Sequence, residues 1–177
     1  MHFRYFKFLF PLSLTLLLFL TGNSLHAATS FYWDGGTTNI SGNGNGVSLG
    51  GSGTWNNTIK NWDQGSNLAY INWPSLTNSQ ATFAGTAGTI TISTGTGGIT
   101  ANKLTFNTNG YTLAGASSSE LLTMAGSSPT IGVGNGAATI SANIAGTNGL
   151  TIAPGTYLKL ILSGSNSYSG GTLLNSQ

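Results

Sequence analysis

Asp34, Asp63 and Glu120 are the acids of this chain, and so few carboxylates leave little room for acid–base chemistry. Two carboxyl groups about 5 to 10 Å apart suit glycoside hydrolysis, and Asp34 with Asp63 is the pair that could supply them. Each follows a tryptophan and precedes Gly35 or Gln64-Gly65, a setting that suits an aspartate capping a turn. Once an N-terminal leader is removed, no arginine and at most His26 remain, so a Ser-His-Asp triad lacks its base. Cysteine is absent, which excludes thiol catalysis, thiolate metal sites and covalent haem attachment. The run Gly42-Asn43-Gly44-Asn45-Gly46 has the glycine density of a calcium loop without its aspartates, and neutral amide oxygens alone bind the ion weakly. Glycine pairs such as Gly35-Gly36 have no helix after them, so they form no dinucleotide fingerprint. No enzyme, cofactor or metal is expected.

Trp33, Trp55, Trp62 and Trp73, with Tyr32 and Tyr70, are the other residues that could do chemistry. Indoles stack on sugar faces, so the four tryptophans could contact a glycan. Large aromatics also close the exposed apolar end of a repeat stack, and their position ahead of the repetitive region favours such a cap. The pieces Trp33-Asp34-Gly35 and Trp62-Asp63-Gln64-Gly65 echo one another.

Elements that could position these residues follow a leader. Arg4 and Lys7, the apolar run Phe8 to Leu20 and the small residues before Thr29 have the layout of a secretory signal peptide, residues 1–27, cleaved after Ala27 or Ala28. The run is shorter than the roughly 20 residues of a membrane-spanning helix, and Pro11 interrupts it. Removing it also removes the net charge of +2, leaving Lys60, Lys103 and Lys159 against Asp34, Asp63 and Glu120. A chain without a basic patch has nothing with which to neutralise phosphates, so nucleic acid is not an expected partner.

From Ala81 onward, short segments alternate apolar with Thr, Ser or Asn and are separated by Gly, Asn, Ser or Pro, the pattern of strands with one buried face. They include Thr89–Ser93, Lys103–Phe106, Tyr111–Leu113, Leu121–Met124, Thr130–Val133, Ala138–Ile144, Gly149–Ile152, Tyr157–Leu162 and Thr172–Leu174. Ile90, Ile92, Ile140, Ala142, Ile144, Leu158, Leu160 and Leu162 are expected to face inward, with Lys159 and Ile161 outward. No helical stretch long enough for a crossover lies between them. A sandwich of hairpins and a parallel β-helix both fit. Modest inward residues and hydroxyl-rich outer faces favour the all-β parallel β-helix, a solenoid in which neighbouring coils complete each other's core. Three regions follow: a signal peptide at 1–27, a Trp-rich N-terminal cap region at 28–85, and β-helical coils at 86–177.

The tail, residues 149–177, contains Leu160-Ile161-Leu162-Ser163-Gly164-Ser165-Asn166-Ser167-Tyr168-Ser169-Gly170-Gly171-Thr172. This segment resembles the autotransporter-associated β-strand repeat, also called the passenger-associated transport repeat, with Ser167 where that repeat usually has Thr. Ala81 to Thr91 and Leu104 to Leu113 resemble the first coils of such passengers. Only one full motif is present, and the approach from Ile152 to Lys159 departs from the usual Gly-rich run. The resemblance implies a non-catalytic, structural or adhesive passenger, exported through the inner membrane to the cell surface, the outer membrane or beyond. It implies a cell-surface or glycan ligand, and an outer-membrane translocator that this chain does not contain. The expectation is therefore an N-terminal fragment of a longer protein. In the tail motif, Asn166, Tyr168, Ser169, Gly170, Gly171 and Thr172 read as a structural corner. The two glycines permit positive φ, and the Asn166 and Ser169 side chains can cap backbone groups.

Overall fold

The structure, a computed structural model, describes residues 29–155 and 158–175. The expected leader lies outside the described residues. Strands make up all the regular structure among those described, as a chain rich in Thr, Ile and Gly and poor in helix formers should give.

The first winding carries β1 (Thr29–Trp33), β2 (Gly53–Trp55) and β3 (Trp62–Asp63). Three regular coils follow. They are β4 (Ser79–Phe83), β5 (Thr89–Ile92) and β6 (Gly98–Ala101); β7 (Lys103–Phe106), β8 (Tyr111–Gly115) and β9 (Leu121–Met124); and β10 (Thr130–Val133), β11 (Ala137–Ile140) and β12 (Ile144–Ala145). Then come β13 (Leu150–Pro154), β14 (Lys159–Leu162) and β15 (Thr172–Leu174). Each strand except β3 pairs in parallel with its counterpart one coil away. The result is a seven-stranded sheet, β15-β13-β10-β7-β4-β1-β3, beside sheets of five and three strands. This is a parallel β-solenoid.

Register explains the core. Ala81, Leu104, Ile131, Ile152 and Leu174 lie opposite one another in one file, so successive coils take 23, 27, 21 and 22 residues. Ile90, Leu113, Ile140 and Leu162 form a second file, and Ile99, Leu122 and Ile144 a third. Because a strand alternates its faces, the residues between them point outward, giving the files Thr89, Thr112, Thr139 and Thr82, Thr105. Ile90, Ile92, Ile140, Ala142 and Ile144 are buried as expected. Ala142 reaches the core from within a corner and Ile144 from the strand after it, because the expected segment 138–144 is two strands with a bend at Ser141–Asn143. Leu158, Leu160 and Leu162 pack against the core half-buried, with Lys159 and Ile161 exposed.

The filling of the core differs from a file of modest aliphatics along its whole length. Its N-terminal part holds Phe31, all four tryptophans, Phe83, Phe106 and Tyr111, and only the later coils are aliphatic. The sheets also run across residue 85 without a break, since β4 pairs in parallel with β7 and β2 with β5. The exception is β3. It runs antiparallel to β1, with Trp62 opposite Trp33, and lies at the N-terminal edge of the seven-stranded sheet.

Candidate functional site

The tryptophans converge because four separate segments aim them at one point. Trp33 ends β1, Trp55 ends β2, Trp62 opens β3, and Trp73 follows on the returning chain. Trp62 is the hub, with ring centroids 4.6 Å from Trp73, 4.9 Å from Trp55, 5.0 Å from Trp33 and 5.9 Å from Phe83. Tilted and edge-on contacts at these distances are the favourable ones for aromatic quadrupoles. Phe83 then stacks on Phe106 at 4.8 Å, carrying the aromatic column into the next coil. The Trp33 and Trp73 indoles donate to the carbonyls of Gly51 and Thr100, each at 2.8 Å. All four tryptophans are at most 1 % exposed, so in this conformation none offers an indole face to a sugar ring.

Each described carboxylate is committed to the backbone. Asp63 Oδ2 accepts from the amides of Asn45 and Gly46, both at 2.8 Å, and Oδ1 from that of Gly65 at 2.7 Å. Asp34 Oδ1 accepts from the Leu49 amide and Oδ2 from the Tyr70 hydroxyl, each at 2.5 Å. Glu120 accepts from the Thr94 amide at 3.0 Å, the Thr94 hydroxyl at 2.7 Å and the Gly95 amide at 2.6 Å. These acids cap loops as the sequence suggested for the two aspartates, but most of their partners lie 15 or more residues away. Nothing near Glu120 in the sequence points to Thr94 and Gly95, because their meeting depends on the coil register.

Burial sets the electrostatics. It raises the Asp34 pKa above its ordinary value, outweighing the hydrogen bonds from Tyr70 and Leu49, and the charge of Asp63 adds to the rise. Burial and the Asp34 carboxylate raise that of Tyr70. Tyr111 is pushed up to about 12, mainly by burial; its hydroxyl sits 2.5 Å from the Ala84 carbonyl and 2.9 Å from that of Thr86. For Glu120, burial acts upward but the hydrogen bonds from Thr94 and Gly95 win, and its pKa falls below 4.5.

Opposite pH dependences follow for the two acids. The Glu120 contribution is present above pH 4.5 and is lost as pH falls through its lowered folded value. The Asp34 penalty is present at neutral pH and is relieved as pH falls through its raised folded value toward 3.8. In urea titrations between pH 3 and pH 7, Glu120→Gln should be less stable than the parent at neutral pH and converge on it in acid. Asp34→Asn should show its largest relative gain at neutral pH and lose it on acidification. Parallel curves for both variants would contradict these assignments.

The tail motif forms a corner. Gly170 and Gly171 have φ of 88° and 82°, the left-handed region that a side chain would oppose. Asn166 Oδ1 accepts from the Ile144 amide at 2.9 Å, and Asn143 Oδ1 from the Ser165 amide at 2.7 Å, so asparagines in adjacent coils cross-brace the turn. Ser169 acts through its backbone, donating to the Gly146 carbonyl and accepting from the Gly149 amide, each at 2.9 Å. The hydroxyls of Tyr168 and Thr172 are 2.8 Å apart, and the Tyr168 ring packs on the core.

Among the described residues, no group of three or more His, Cys, Asp or Glu could hold a metal ion. No family model matches the chain, and no solved structure matches it. Among curated proteins, the chain is 37 % identical over 160 residues to the adhesin BmaC autotransporter of Brucella suis biovar 1 (strain 1330). The alignment covers 86 % of this chain, which spans 4 % of that protein's length. Over nearly all of its length, then, this β-solenoid is similar to a small part of an autotransporter adhesin.

Proposed function

We propose that this chain is a stretch of adhesin-type autotransporter passenger, exported through the inner membrane and carried across the outer membrane by a translocator. Its role is adhesive or structural, without catalysis. The observation that carries this reading is the use made of the ionisable groups. Asp34, Asp63 and Glu120 each hold loop amides in place, a structural use of every described carboxylate. What the solenoid offers its surroundings is extended faces of Thr, Ser and Asn, suited to display and contact. Similarity to an adhesin autotransporter supports the same reading, as does the resemblance of the tail to the passenger repeat. In this view residues 1–27 direct export, the Trp-rich region of 28–85 starts the stack, and the motif at Asn166 to Thr172 is a building unit of further coils.

Beads coated with the purified chain should adhere to epithelial monolayers several-fold more than albumin-coated beads. Adherence equal to the albumin control would sink the adhesive role.

A further inference from the structure

Gly132 interrupts the outer face of the seven-stranded sheet. It stands in β10 between Thr105 of β7 and Ala153 of β13. Its backbone is not in the left-handed region, and an added Cβ would meet only the carbonyl oxygens of Ala153 at 3.5 Å and Leu104 at 3.8 Å, ordinary contacts. The fold therefore has no need of glycine here. A β-carbon fits here, whereas glycine inside a strand weakens it and often marks close approach of a ligand.

The missing side chain leaves a depression of about 210 Å³, walled by Lys103, Thr105, Thr130, Gly134 and Ala153. Lys103 forms no ion pair among the described residues, and the described carboxylates are all engaged elsewhere. The Thr105 hydroxyl makes no hydrogen bond within the described chain, and that of Thr130 donates to the Ser128 carbonyl, leaving its oxygen free to accept. A lysine with no ion pair among the described residues thus lines the depression together with two threonines, over a floor that carries no side chain at Gly132.

We propose that this depression binds a carboxylated sugar, one uronic acid residue of an acidic polysaccharide. The carboxylate meets Lys103, the sugar hydroxyls meet Thr105 and Thr130, and the ring lies over Gly132. The inference deepens the adhesive reading and rests on it, by giving that surface a ligand class.

Trigalacturonic acid and neutral maltotriose, titrated into the full chain and followed by calorimetry, test the assignment. The acidic trimer should bind and the neutral one should not. Lys103→Gln should weaken binding about tenfold, the scale of one lost charge-assisted hydrogen bond. Gly132→Val should abolish binding while melting at or above the parent temperature, and Gly132→Ala, the gentler filling, should weaken it. Equal binding of both trimers, unchanged binding by Gly132→Val, or no binding of the acidic trimer at millimolar concentration would each overturn the site. Beads that adhere to cells while the chain ignores the acidic trimer would sink this inference alone; loss of both would sink the adhesive reading as well.

Discussion

Replacing Trp62 with alanine lowers the unfolding free energy by about 3–5 kcal/mol, the usual cost of emptying a large aromatic site in a core. Trp62 touches Trp33, Trp55, Trp73 and Phe83, so no single neighbour can swing in to fill the space. Its indole nitrogen has no hydrogen-bond partner, so Trp62→Phe removes volume without orphaning an acceptor and should cost clearly less. Urea unfolding followed by circular dichroism reads both values. Since coils contact their immediate neighbours, amide exchange in Trp62→Ala should quicken through β1 to β5 and stay slow in β10 to β13. Uniform loss of protection, or a cost below about 1 kcal/mol, would mean that the cluster does not organise the first winding.

Asp63→Ala should cost about 2–4 kcal/mol by a different route, stranding the amides of Asn45, Gly46 and Gly65 without their acceptor. The carboxylate fills the space where a side chain on Gly44 would stand, so two loops close around it. Asp63→Asn keeps one acceptor oxygen and should fall between the parent and the alanine variant. Here amide exchange should quicken at residues 44–46 and 65–68 while β4 to β9 remain protected. Limited proteolysis should open those same loops first. Cleavage that begins instead in the strands would rule out a local clamp.

The sequence made the later coils readable because there the local pattern and the tertiary requirement coincide. Lys103–Phe106, Leu121–Met124 and Thr130–Val133 are strands with the expected boundaries, the first two alternating buried and half-buried residues and the third buried from Ile131 to Val133. The strand β6 went unread because Gly98-Ile99-Thr100-Ala101 carries a single large aliphatic and begins on a glycine. Its identity comes from pairing with Leu121–Met124 one coil later. The aromatic interior of the first winding was obscured for a related reason. Indoles on well-separated segments announce no periodicity, so their convergence exists only once β1, β2 and β3 are paired. At the carboxylates, the flanking Trp and Gly gave the capping role of Asp34 and Asp63, but their partners are set by coil spacing and not by local turn geometry.

The parallel ladder has a mechanical side. Hydrogen bonds between coils run along the solenoid axis, so a pull applied to the two ends detaches one winding at a time instead of shearing many bonds together. Each detached winding frees 21 to 27 residues, roughly 70–90 Å of slack at full extension. The antiparallel β3 anchors the N-terminal edge against Trp33, while β14 and β15 lie at the opposite edges of their sheets with Leu173 and Leu174 exposed. A tether of this design therefore lengthens stepwise under load, one winding after another.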